Sequence, residues 1–315
     1  MTKVWLIGAG AMAHDYIKVL NDLKISTNII GRGKISANNF EIKTGHQVIS
    51  GGLELYLKTN PANCSHAIVS VGVEDLFNTT KLLIEYGVKN ILVEKPGSIC
   101  KNELIELHKV ATENQAKVSI AYNRRFYAST YKALEIINKD GGPLSFNFEF
   151  TEWGHVIETL NKPANISEAW FLANSTHVVD LAFFLGGNPV ELSTYTKGSL
   201  KWHKSSSVFS GAGVSDKNAL FSYQANWQAP GRWSVEILTK NHRLIFKPME
   251  KLQIQKTGSI KIDFVDIDDE KDNLYKPGLF SQVDNFINNN LTNFCSLEQQ
   301  INLFDLYIKM ANYSD

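Results

Sequence analysis

Six short apolar runs alternate with helical periodicity in the first 121 residues, and that alternation restricts the fold more than any other feature of the chain. The runs lie at 3–7, at a segment ending on 29–30, and at 47–50, 67–71, 90–94 and 117–121. After the first of them Ala9, Met12, Ala13, Tyr16, Ile17 and Leu20 recur at the spacing of one helix face, and 74–86 and 101–114 read the same way. Strands that are apolar along their whole length are covered on both faces, which is the habit of parallel sheets joined by helices. The sequence therefore predicts an α/β domain over 1–122, a doubly wound parallel sheet with helices on both sides.

Beyond Tyr122 the pattern changes. One helix over 129–139 leads to Gly141-Gly142-Pro143, and then Phe146, Phe148 and Phe150 alternate with polar residues as in a half-buried strand. Segments 219–227, 233–239, 243–246 and 260–267 follow suit, and helices over 278–289 and 297–311 close the chain. Residues 123–315 are thus expected to form an α+β domain on a largely antiparallel open sheet.

The 32 basic and 32 acidic side chains cancel, so nothing in the charge favours nucleic acid or an anionic membrane surface. No apolar run is long enough to span a bilayer. Cys64, Cys100 and Cys295 are widely spaced, which fits a reducing cytoplasm, and no His, Cys or carboxylate cluster has metal-ligand spacing.

Gly8-Ala9-Gly10-Ala11-Met12-Ala13 fits G-x-G-x-x-A at a strand-to-helix junction. In the dinucleotide-binding (Rossmann) arrangement the first glycine makes the tight turn. The second lets backbone approach a pyrophosphate, and the helix amino terminus at Ala11 and Met12 offers unpaired N–H groups. The next strand ends at Ile30-Gly31-Arg32, where NAD-selective sheets carry an acid. A cation there suits the 2′-phosphate of NADP, so NADP is the expected cofactor and NAD the alternative. Ser70 and Gly72, where 69–73 ends the fourth strand, are expected along the dinucleotide.

The fifth run, Asn90 to Gly97, releases Glu94-Lys95 into a Pro-Gly break, so the backbone fixes Lys95 at the carboxyl edge where open α/β sheets bind ligands. Glu94 is expected at the nicotinamide ribose. His177 begins a helix that is apolar from Val178 to Leu185 except at Asp180. It reads either as a core histidine satisfied by Asp180 at i, i+3 or as a proton-transfer group at a cleft rim. Of Arg124 and Arg125, one faces the site and the other pairs structurally, and Arg125 is taken with Asn174 as a substrate contact. Trp153 and His155 are candidates of lower rank for a sugar site.

Taken in order, Gly8-x-Gly10-x-x-Ala13, Glu94-Lys95-Pro96, Tyr122-Asn123-Arg124-Arg125-Phe126 and Ser175-Thr176-His177-Val178-Val179-Asp180-Leu181 resemble the Gfo/Idh/MocA oxidoreductases over nearly the whole chain. The resemblance implies hydride exchange between NAD(P) and a secondary alcohol or ketone of a sugar, polyol or sugar nucleotide. It implies Lys95 beside nicotinamide and substrate, His177 as acid/base, and a homodimer or homotetramer through the second sheet. The family often has Asp four residues before the histidine, and here that residue is Ala173. The alternative is a cofactor-binding sensor or assembly protein that has lost hydride transfer.

Overall fold

Strand β1 (Lys3–Ile7), with Val4, Trp5 and Leu6 fully buried, lies at the heart of the first of two sheets. The computed structural model describes residues 2–313. They form two compact units: the residues up to Asn123 with Asn273–Ile301, and Arg124–Asp272 with the residues from Asn302 on.

In the first unit β1 is followed by α1 (Ala11–Asp22), β2 (Ser26–Gly31), α2 (Lys34–Thr44), β3 (Val48–Ser50) and α3 (Gly52–Lys58). Then come β4 (His66–Val69), α4 (Leu76–Glu85), β5 (Asn90–Glu94), α5 (Lys101–Glu113) and β6 (Lys117–Ala121). These six strands are parallel in the order β6-β5-β4-β1-β2-β3. The winding reverses between β1 and β4, so a crevice opens past their carboxyl ends, the position at which such sheets take ligands.

The second unit begins at Arg124, within a 3₁₀ turn at Asn123–Phe126, and continues with α6 (Ala128–Lys139), β7 (Ser145–Glu149), α7 (Gly154–Ile157) and α8 (Ala164–Glu168). A π-helical turn, Phe171–Ser175, leads straight into α9 (Thr176–Gly186). Strands β8 (Pro189–Lys197), β9 (Val208–Ser215), β10 (Leu220–Asn226), β11 (Ser234–Leu238), β12 (His242–Phe246), β13 (Gln253–Lys256) and β14 (Ile262–Phe264) complete it. The eight-stranded order is β14-β13-β12-β11-β7-β10-β9-β8, antiparallel except between β7 and β10. Helix α9 covers one face: Phe183 meets Phe146 and Phe148 edge-on at 6.3 and 5.5 Å, the arrangement aromatic quadrupoles favour. A Cβ at Gly186 would stand 2.4 Å from the Phe146 ring, so glycine is what lets the helix end approach the sheet.

After α10 (Glu270–Leu274) the chain supplies α11 (Leu279–Ile287) and β15 (Cys295–Ser296) to the first unit, where β15 adds antiparallel to β6. Helix α12 (Leu297–Ala311) follows. Among the described residues no helix is long and apolar enough to cross a membrane, and no three His, Cys, Asp or Glu side chains cluster as metal ligands.

Candidate functional site

The crevice at the reversal is a cleft of about 380 Å³ whose lining includes Gly8, Gly10, Arg32, Ser70 and Gly72. The turn after β1 is tied to both neighbours of that strand. Gly8 N–H donates to Ile30 O at 2.8 Å, and Ser70 donates its N–H and its hydroxyl to Ile7 O at 2.8 and 3.1 Å. Gly8 has φ +118°, and a Cβ on it would stand 2.6 Å from Ser70 O. Glycine there is demanded by the protein itself. At Gly10 the reverse holds: φ is −92°, and an added Cβ meets no atom within 4 Å. Gly10 is the N-cap of α1 and lines the cleft, so bare backbone is open to it there. Ala11 and Met12 form the first turn of α1, and the Met12 sulfur lies 2.7 Å from Lys276 Nζ.

Arg32 sits at the cleft mouth, 77% exposed, with Nη1 3.0 Å from Asp75 Oδ2. At the other end of the strand edge, β5 delivers Glu94 and Lys95. Glu94 Oε1 accepts from the Tyr16 hydroxyl at 2.7 Å, and burial pushes the Glu94 carboxyl above its ordinary range. Lys95 precedes a cis peptide to Pro96, the turn closes with Gly97 N–H on Glu94 O at 3.0 Å, and the buried Gln300 donates to Pro96 O at 3.1 Å. The Lys95 backbone is thus held from both sides. Gln300 had no signal in the sequence, since it reaches Pro96 from more than two hundred residues away.

In the second unit the π-helical turn sets His177 in the first turn of α9, its ring 6.3 Å from that of Trp233. Asp180 is committed elsewhere. Arg125 donates Nε and Nη2 to its two oxygens at 2.8 and 2.6 Å, with both side chains buried. Arg125, which the sequence suggested at the substrate, lies in the core, and its neighbour Arg124 has its guanidinium carbon 4.7 Å from the Trp233 ring centroid. Asn174 does not stand alone either. Its Nδ2 and the Ser175 hydroxyl both donate to Glu152 Oε1 at 2.8 Å, and Glu152 Oε2 lies 3.5 Å from Arg232.

Glu152 is the charged residue that sequence reasoning missed. It is 2% exposed, and burial raises its carboxyl above the ordinary value while Ser175 and Asn174 pull it back. The available signal was an acid two residues beyond Phe150, the last of the alternating phenylalanines. Trp153 and His155 line a separate cleft of about 560 Å³ with Trp202, Trp227 and Glu152.

No protein-family model and no curated protein matches the chain in sequence. Solved structures do match in fold. UDP-N-acetylglucosamine 3-dehydrogenase GnnA from Acidithiobacillus ferrooxidans superposes with a TM-score of 0.76 at 13% identity, covering 98% of this chain and 96% of that one. A levoglucosan dehydrogenase in complex with NADH and levoglucosan gives 0.79 at 14%, covering 98% and 96%. The dehydrogenase MviM from Clostridium difficile gives 0.80 at 19%, covering 99% of both chains. The chain has the fold of these dehydrogenases over its whole length, a mostly parallel sheet in one unit and a mostly antiparallel sheet in the other, as the Gfo/Idh/MocA resemblance implied.

Proposed function

We propose that the protein is a cytoplasmic NAD(P)-dependent oxidoreductase that exchanges a hydride with the CH–OH group of a sugar, polyol or sugar nucleotide, NADP being the preferred cofactor. The observation that carries this reading is the contrast between Gly8, which packing requires, and Gly10, which opens onto the cleft with no atom within 4 Å of where a Cβ would stand. Three of the fold's solved representatives are dehydrogenases by name, one of them described with NADH and a sugar. Gly8, Gly10, Ala11, Met12, Ser70, Gly72, Glu94 and Lys95 would hold the dinucleotide, with Arg32 at a 2′-phosphate.

Bound there, the nicotinamide supplies the acceptor or donor of a hydride. The chain's own work is with the proton and the charge. In the oxidative direction His177 takes the hydroxyl proton, and the Lys95 ammonium stabilises the oxygen as negative charge develops on it. In the reductive direction the same two groups polarise a ketone and return the proton. Asn174, oriented by Glu152, is the neighbouring hydrogen-bonding group for the substrate. The reading includes a homodimer or homotetramer through the open face of the eight-stranded sheet, where Tyr195 and Leu220 are 73% and 63% exposed. Light scattering on the purified protein tests that part.

Fluorescence titration with NADPH and NADH, after recording nicotinamide absorbance on the protein as isolated, tests the cofactor assignment. Tighter binding of NADPH than of NADH is expected. Lys95→Ala removes one of several contacts to the dinucleotide, so it should leave that binding nearly intact and lower turnover by about two orders of magnitude or more. A protein that binds neither cofactor, or a Lys95→Ala enzyme with normal turnover, overturns the reading.

A further inference from the structure

Around Trp233 the second unit gathers two guanidinium groups and an imidazole. The Arg124 and Arg232 guanidinium carbons lie 4.7 and 4.6 Å from the centroid of the same ring, and His177 approaches that ring at 6.3 Å. Arg232 is shared between Trp153, at 4.8 Å, and Glu152. Glu152 has little left to give, because its Oε1 is engaged by Asn174 and Ser175. The Arg124 carbonyl accepts from the Thr130 hydroxyl at 2.8 Å, but its side chain makes no ion pair or hydrogen bond among the described residues, and its Nε is buried without an acceptor. Packing a guanidinium with an unmet donor costs free energy; Glu250 and Glu152 attract it without hydrogen-bonding it, and Arg232 close by adds repulsion. Aromatic faces offset part of that cost, but they do not accept the in-plane N–H groups.

We infer that Arg124 and Arg232 form a receptor for an anionic group of the substrate, so that the sugar acted on beside His177 carries an acid. A planar fork with free donors matches the oxygens of a carboxylate or of a phosphate, and the two share that chemistry. The source is either a carboxylate on the sugar itself or the diphosphate of a nucleotide-linked sugar. This inference rests on the oxidoreductase reading above and narrows its substrate class. It also gives Arg124 the substrate contact that the buried Arg125 is not placed to make.

Three matched probes decide it: glucose, glucuronate and UDP-glucose, titrated calorimetrically into the full chain with and without saturating NADPH. Wild-type protein should bind one or both anionic probes at least about tenfold more tightly than glucose, and Arg124→Gln should weaken that binding about 10- to 100-fold while glucose is unaffected. Arg232→Ala, at a side chain 47% exposed, should weaken it in the same direction and serves if Arg124→Gln misfolds. Preference for glucuronate alone assigns a carboxylate; preference for UDP-glucose alone assigns the diphosphate. Equal affinity for all three probes, no binding of either anion to wild-type protein, or anion binding that survives both substitutions overturns the receptor. NADPH binding measured on the same samples reports separately on the cofactor site, so failure of the receptor and failure of the oxidoreductase reading are distinguishable.

Discussion

Arg125 holds Asp180 with two parallel hydrogen bonds of 2.8 and 2.6 Å in a site where neither side chain exceeds 2% exposure. The pair joins the 3₁₀ turn at the start of the second unit to the middle of α9, one turn beyond His177. Removing one partner leaves the other charge buried and unmet, which costs about 3–5 kcal/mol. Arg125→Ala and Asp180→Asn should each lower the melting temperature by at least about 6 °C. The double replacement Arg125→Met with Asp180→Leu should recover much of that loss, because an apolar pair carries no desolvation cost. Thermal denaturation of the four proteins checks this. Single variants as stable as wild type would show that water reaches the pair and solvates the orphaned charge.

The two glycines of the first turn should separate stability from binding. Gly8→Ala puts a side chain at φ +118° and against Ser70 O, and should cost about 1–3 kcal/mol of stability. Gly10→Val meets open space at its Cβ and should stay within about 0.5 kcal/mol of wild type in denaturant unfolding, yet lose NADPH binding. Retained NADPH affinity in Gly10→Val would remove the cradle from the cofactor site.

The first unit was legible because its strands are buried on both faces. The expected 3–7, 90–94 and 117–121 are the observed bounds of β1, β5 and β6. The second sheet was legible only where large apolar residues alternate. Strand β9 escaped because Gly211 and Gly213 read as loop residues, whereas they are glycines so that the Tyr223 and Phe221 rings can lie against the backbone, 2.5 and 2.7 Å from where a Cβ would stand. Strands β8 and β13 escaped for a different reason. Their side chains are mostly exposed or half-buried, so no apolar period marks them. In the site, the turn glycines, Arg32 and Lys95 follow from strand ends, which a sequence reveals. The choice between Arg124 and Arg125 does not, because adjacent residues of a short 3₁₀ turn point apart and only Asp180 decides which goes inward.

Asp75 tempers Arg32. The exposed ion pair contributes little to stability, but its carboxylate faces the place where a 2′-phosphate would arrive. Asp75→Asn should therefore tighten NADPH about threefold or more and leave NADH nearly unchanged. Arg32→Ala should weaken NADPH about tenfold with the same indifference toward NADH. Parallel changes for both cofactors in either variant would detach Arg32 from cofactor choice.

His203 makes the second unit sensitive to acid. Its ring is fully buried between two partners: Nδ1 lies 2.7 Å from Ser206 O, and Nε2 lies 2.8 Å from the Tyr313 hydroxyl. The Ser206 carbonyl can only accept, so the ring donates from Nδ1 and its Nε2 accepts from the Tyr313 hydroxyl, whose oxygen also accepts the Phe171 N–H at 3.1 Å. A second ring proton would face a donor. Burial accordingly pushes the His203 pKa down from 6.5 to about 4. The unfolded chain binds a proton first, so this contribution is fully present above pH 6.5 and is lost as the pH falls toward 4, an effect of about 3 kcal/mol. Denaturant unfolding from pH 7 to pH 4 should show wild type losing stability more steeply than His203→Gln, with the two curves converging at the acid end. Curves that stay parallel across that range would mean that the imidazole is not held neutral.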